Sequence, residues 1–284
     1  MPARFLPALW ILACGGLLAA QEPPAPASPL PNDAEFREIL KKSVDEDNLR
    51  FEPSRDYIYV EDKAFRQVDG HGKTLRTNSK TYERIVVYGE EYERLIRKNG
   101  RPLSPGQTRA EQEKLDRETE KRKQEPAAAR AGRLETANRR NSVCNTEFVE
   151  GFTFRLLGAD TVGGRPAWKV EAVPIPGGSP ACKDVGTIKK FRLLIWIDQA
   201  EGKWSRFQAD NVDAVSFGAV LARAPAGSLH VKIELTRRDD GAWLPERVEL
   251  RRNVKALLMM TVHDEFDYTY SQYRKFQSES RMVE

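Results

Sequence analysis

The chain has 284 residues, with 46 Lys and Arg against 42 Asp and Glu, for a formal net charge of +4. Charge this dense and this balanced describes a solvated surface and excludes the one-signed footprint of a nucleic-acid binder. The length fits one large β-domain or two small ones.

Residues 1–20 read as a signal peptide: Arg4 gives a positive start, an apolar run follows, and Ala19-Ala20 offers a small-residue cleavage site. The run is short for a bilayer span, which needs about 20 apolar residues, and Pro7 interrupts it. Cys14 leaves two fates open. Ile11-Leu12-Ala13-Cys14-Gly15 half-resembles a lipobox, which would make the cysteine a lipid anchor, yet the apolar stretch continues past it to Ala20. Either way a periplasmic location is expected, with no transmembrane helix in the mature chain. Removing residues 1–20 takes away only Arg4 and leaves 45 basic against 42 acidic residues. Cys144 and Cys182 survive cleavage, and an even cysteine count in an exported chain reads as a disulfide, with two buried thiols as the alternative.

Residues 21–31, rich in Pro, Ala and Ser, read as a tether. The remainder, 32–284, reads as one β-rich domain. Asn32 can cap a helix, with Glu35 placed for a capping box, and Phe36, Ile39, Leu40 and Val44 form one apolar stripe. Strands are expected at Tyr57 to Val68, Lys80 to Tyr88 and Glu91 to Lys98, the last ended by Asn99-Gly100. A charged helical insertion follows at about 105–140, with Glu113–Arg117 and Glu118–Arg122 at i,i+4 and a break at Pro126. It has few apolar residues, so it should protrude or lie loosely on the surface.

From Glu147 the pattern reads as β again, starting with Phe148 to Leu157. Phe191, Leu193, Ile195 and Ile197 alternate along one strand, and Leu229, Val231, Ile233 and Leu235 along another. Leu258, Met260, Val262 and Phe266 do so along a third. Successive strands with short turns make an antiparallel meander. If these three rows join, they form one broad apolar wall, which either packs solid or leaves room for an acyl chain.

Catalytic motifs are missing. His71, His230 and His263 lie far apart without metal-ligand spacing, so no metal is expected. His263, Asp264 and Glu265 alternate across a strand and cannot converge. There is no nucleophile elbow, Walker loop or dinucleotide fingerprint, so no cofactor and no enzyme activity are expected. Trp168, Trp196, Trp204 and Trp243 read as strand and turn anchors more readily than as a cavity lining.

Several stretches together carry a resemblance. Tyr92-Glu93-Arg94-Leu95-Ile96-Arg97-Lys98-Asn99-Gly100-Arg101-Pro102-Leu103-Ser104 precedes the charged helix. Phe191 to Asp198 ends in Trp-Ile-Asp and leads through a turn to Trp204-Ser205-Arg206-Phe207, and the tail carries Tyr273-Arg274-Lys275-Phe276. From about Phe36 onward the chain resembles bacterial envelope proteins allied to the outer-membrane lipoprotein-sorting (LolA/LolB-like) superfamily. The resemblance implies an α+β fold that is mainly β: a strongly curved antiparallel sheet, like an unclosed barrel, with helices over its concave face. It also implies a non-enzymatic carrier or chaperone that binds a lipid or acylated protein between sheet and helices. A protein–protein interaction module of the envelope, with a filled core and a charged docking helix, is the alternative. The chain departs from the well-known carrier in its length, its charged insertion and its cysteine pair, and no ligand-gating residue can be carried over.

Overall fold

The structure, a computed structural model, describes residues 30–45, 56–178, 180–217, 222–256 and 260–276. The signal segment with Cys14, nearly all of the tether and Leu258 lie outside the described residues.

Helix α1 (Asp33–Asp45) starts where its cap requires. The Asn32 side chain accepts from the backbone N–H of Ala34 and Glu35, and Glu35 accepts from Asn32 N–H at 2.9 Å, so the reciprocal box forms. β1 (Tyr57–Val68) has its expected bounds, and β2 (Thr74–Val87), β3 (Glu90–Lys98) and the short β4 (Arg101–Pro102) follow as hairpins. The β2–β3 turn puts Tyr88 and Gly89 at φ 50° and 78°, and the β3–β4 turn puts Asn99 and Gly100 at 50° and 73°. Both are two-residue turns with positive φ at both positions, whose twist matches the strands they join.

The charged segment forms α2 (Pro105–Gln124) and α3 (Ala127–Glu150), divided at Pro126. Here one expectation is corrected: Phe148 is helical, and the strand begins only at Phe152. Gly151 caps the end of α3, its N–H donating to Glu147 O, and the position suits glycine because a Cβ there would come within 2.8 Å of that oxygen. β5 (Phe152–Val162), β6 (Arg165–Pro174), the short helix α4 (Lys183–Ile188), β7 (Phe191–Asp198) and β8 (Trp204–Asn211) follow. Next come the short β9 (Val215–Phe217) and β10 (Ala222–Ala224), then β11 (Leu229–Arg237), β12 (Trp243–Ala256) and β13 (Met260–Lys275).

All these ladders are antiparallel. They join in the order β4-β3-β2-β1-β13-β12-β11-β8-β7-β6-β5, one open sheet with β9 and β10 appended beside β12. The N-terminal hairpins thus dock on the last strand. The edge strands β4 and β5 are consecutive in the chain, so α2 and α3 form the link that carries the chain from one edge of the sheet to the other.

The main core lies on one face. Phe36, Leu40 and Val44 of α1, Phe148 of α3 and Val185 of α4 pack with Trp168, Val170, Leu193, Ile195, Ile197, Trp204 and Phe207 of the sheet. Trp204 Nε1 donates to Ser43 Oγ at 3.2 Å, and Ser43 Oγ donates in turn to Leu40 O, which fixes α1 over β8. The expected disulfide is present: Cys144 of α3 is bonded to Cys182, the N-cap residue just before α4, across 38 residues of chain.

Candidate functional site

Because residues directly opposite in adjacent strands share a face, the registers trace rows across the sheet. One row runs Leu193, Ala209, Val231, Leu250, Phe266, Phe65 and Asn78, from β7 through β8, β11, β12, β13 and β1 to β2. The next runs Ile195, Phe207, Ile233, Val248, Tyr268, Lys63 and Lys80. Among the described residues, Leu193 and Ile195, Val231 and Ile233, and Val262 and Phe266 of the three expected rows lie on one face, joined through β8 and β12. Leu229 and Ile233 are buried in the core, Val231 and Leu235 pack against it, and Val262 lies opposite the buried Val254. Met260 opens β13 opposite Ala256.

The face changes character along each row. At the β7 end, Leu193, Ile195 and Ile197 have no exposed surface, and side chains from α1, α3 and α4 fill the space above them. The sequence reading offered the Phe36–Val44 stripe as the obvious cover. It missed Phe148 and Val185, although the i,i+4 spacing of Cys144 and Phe148 carried the helical signal.

From β13 onward the same face turns aromatic and charged. Phe266 sits outside the main core, with its ring 5.1 Å from that of Phe65 and the Arg252 guanidinium 5.0 Å over it. Lys63 places its ammonium over the rings of Tyr82 and Tyr268, at 5.0 and 5.7 Å, and within 3.2 Å of Glu93. Glu61, 3% exposed, is held by Arg84 through Nη2 at 2.6 Å and Nε at 2.7 Å, and Arg84 pairs with Glu93 as well. Burial alone would lower the Arg84 pKa, but Glu61 and Glu93 raise it on balance. Asp264, 4% exposed, accepts from Arg252 on Oδ2 only; its Oδ1 is buried without a hydrogen-bond partner among the described residues.

A tyrosine cluster closes the end of this region. Tyr57, Tyr59 and Leu244 form a second small core with Tyr270 and Tyr273, and Tyr273 Oη donates to Pro245 O at 2.7 Å. Burial first, then the hydrogen bond to the Asp240 carboxylate, pushes the Tyr57 phenol up to about 12. Burial also raises Tyr59, Tyr270 and Tyr273 well above the ordinary phenol range. Above pH 10 the unfolded chain releases these protons while the folded one retains them, so folding stability should fall as pH rises from 10. Absorbance at 295 nm during alkaline titration should show these phenols ionising late, together with unfolding. Ionisation of all eight tyrosines near pH 10 with the fold intact would contradict the burial of this cluster.

The remaining candidates are placed as expected from their sequence positions. His71 is exposed in a turn, and His230 is exposed with Nδ1 2.6 Å from Asp210. Neighbouring strands take His263, Asp264 and Glu265 apart: His263 contacts Asn253, Asp264 contacts Arg252, and Glu265 contacts Arg66. Among the described residues no three His, Cys, Asp or Glu side chains are grouped to hold a metal ion, and no helix is long and apolar enough to cross a membrane. Trp168 and Trp204 are core residues, Trp196 anchors a small cluster on the opposite face, and Trp243 Nε1 donates to Glu201 at 2.8 Å.

No family model matches the chain, and no curated protein matches it in sequence. Solved structures do. An outer membrane lipoprotein-sorting protein domain from Vibrio parahaemolyticus is 11% identical, covering 84% of this chain and 94% of that chain at a TM-score of 0.34. A LolA superfamily protein from Nitrosomonas europaea is 10% identical, covering 85% and 93% at a TM-score of 0.29. A chain of a MucA/MucB complex structure from Pseudomonas aeruginosa is 10% identical, covering 86% of this chain and 99% of that chain at a TM-score of 0.24. The chain itself has one open antiparallel sheet with helices packed on its face.

Proposed function

We propose that this is a non-enzymatic binding protein of the periplasm that takes up the acyl chain of a lipid or of an acylated protein on the inner face of its sheet. Residues 1–20 supply the export signal for this reading. The observation that carries it is the continuous inner face, whose aliphatic half is roofed by helices and whose aromatic half, around Phe65, Phe266 and Tyr268, lies outside that packed core. Binding would centre on this second half and its border with Val231, Leu235 and Val248. Burial gains about 0.8 kcal/mol per methylene, so roughly ten methylenes offset a middling association cost.

Complete burial of Leu193, Ile195 and Ile197 favours a second reading, an envelope interaction module whose core is filled by its own side chains. One experiment separates them. The mature protein should bind 1-N-phenylnaphthylamine saturably, palmitate should displace the dye, and Phe65→Ala should weaken both several-fold while Ile195→Val leaves them unchanged. Folded protein with no saturable binding, and no adduct in its native mass spectrum, would leave the interaction module as the function.

A further inference from the structure

Helix α2 is held to the sheet in an unusual way. It has no buried residue. Glu111, Leu115, Glu118, Thr119 and Arg122 are its half-buried positions before the break, and they fall on one helical face. Their neighbour is β3, the last full-length strand before that edge of the sheet, which β4 covers only opposite Arg97 and Lys98. Leu115 is the only aliphatic side chain on that contact face, so burial contributes little to holding α2 in place.

A polar contact does the holding. Arg122 Nη1 donates to Val87 O at 3.1 Å and to Glu90 O at 2.9 Å, and Nη2 donates to Glu91 O at 3.1 Å. Its Nε donates to Glu118 at 2.8 Å. One guanidinium thus spans the tip of the β2–β3 hairpin. Val87 and Glu90 are the closing pair of that two-residue turn, so the backbone groups of Glu91 point away from β2, toward the open edge. Arg122 caps that edge carbonyl. Arg130 reinforces the joint from the far side of Pro126: Nη2 donates to Arg122 O at 2.8 Å, and its guanidinium lies 5.6 Å from the centre of the Tyr88 ring.

The two halves of the crossover are secured differently. The end of α3 is fixed by Phe148 in the core and by the disulfide. The start of α2 is fixed by its own cap, in which Ser104 and Gln107 bond reciprocally. Between them, among the described residues, the Arg122 fork and a shallow contact with β3 hold α2 to the sheet. We propose that α2 is a separable strap over the β3 edge, latched by Arg122: it lifts as a unit about the 125–126 joint while α3, α4 and the sheet stay folded. Closed, it masks backbone pairing groups that an extended peptide could otherwise use, a common liability of open sheet edges. Lifted, it presents them.

Hydrogen exchange of the full mature protein tests this. In the wild type, amides of residues 105–126 should exchange well before those of β6–β8. Arg122→Ala should speed exchange at 105–126 and at Glu91 and Glu93 at least tenfold, with β6–β8 unchanged. Arg122→Lys keeps the charge beside Glu118 but cannot fork across three carbonyls, so it should resemble the alanine variant. Wild-type-like exchange in Arg122→Lys would make the Glu118 pair the fastening and overturn the fork. Unchanged exchange in Arg122→Ala, or equal acceleration in β6–β8, would overturn the strap.

Discussion

Replacing Arg84 with alanine should remove about 3–5 kcal/mol of stability, because it strands a buried carboxylate. For a domain of this size that corresponds to a fall in Tm of about 10 °C. Glu61 is 3% exposed and takes two bonds from Arg84 to one oxygen. Lys63 stands 3.5 Å from Glu61, but it also engages Glu93 and two aromatic rings, and a single ammonium cannot reproduce a planar fork. Removing both charges, as in Glu61→Leu with Arg84→Met, should restore most of the loss, since neither partner is then left as an unpaired buried charge. Urea denaturation of the two variants measures both effects. A loss below about 1 kcal/mol for Arg84→Ala would mean that the pair behaves like one on an exposed surface. The aromatic half of the inner face would then be wetter than the burial of Glu61 implies.

This strip also marks the boundary of what could be read in the sequence. The helix cap at Asn32, the strand at Tyr57–Val68 and the alternation of Phe191 to Ile197 were legible because each is a local pattern with a fixed period. The pairing of β1 with β13 joins residues some 200 positions apart, such as Arg66 and Glu265, and no local period announces it. No local period therefore singles out Glu61, Lys63 and Arg84, although register brings them among tyrosines on the core side. The end of α3 was misread for a different reason. Phe148, Val149, Phe152 and Phe154 suit a strand start as well as a helix end, and only the packing of Phe148 in the core shows which side of Gly151 each belongs to. The charge-rich composition of 105–140 suits a helix with little to bury, and α2 buries no residue, but composition could not say that the segment carries the chain between the two sheet edges.

Reducing the disulfide should have a comparable effect by a different route. Closing a 38-residue loop removes chain entropy from the unfolded state, worth about 4 kcal/mol in the loop-closure model. Cys144→Ser with Cys182→Ser should lose about that much in urea denaturation, and its m-value should rise, because the unlinked chain exposes more surface on unfolding. The folded state should change little. α3 remains anchored by Phe148, whose ring lies 4.9 Å from Phe152 and 6.1 Å from Trp204. α4 remains tethered to it, because Glu147 accepts from the backbone N–H of Ala181 at 2.9 Å and of Cys182 at 2.8 Å. Far-ultraviolet circular dichroism of the double-serine variant should therefore match the parent at low temperature. Exchange in α2 should also be unaltered, since its latch at Arg122 shares no contact with the bridge. If the variant loses less than about 1 kcal/mol, the unfolded chain already holds these ends together. If instead it loses native circular dichroism, the bridge is required to seat α3 on the sheet, and the packing of Phe148 alone is too weak to hold it there.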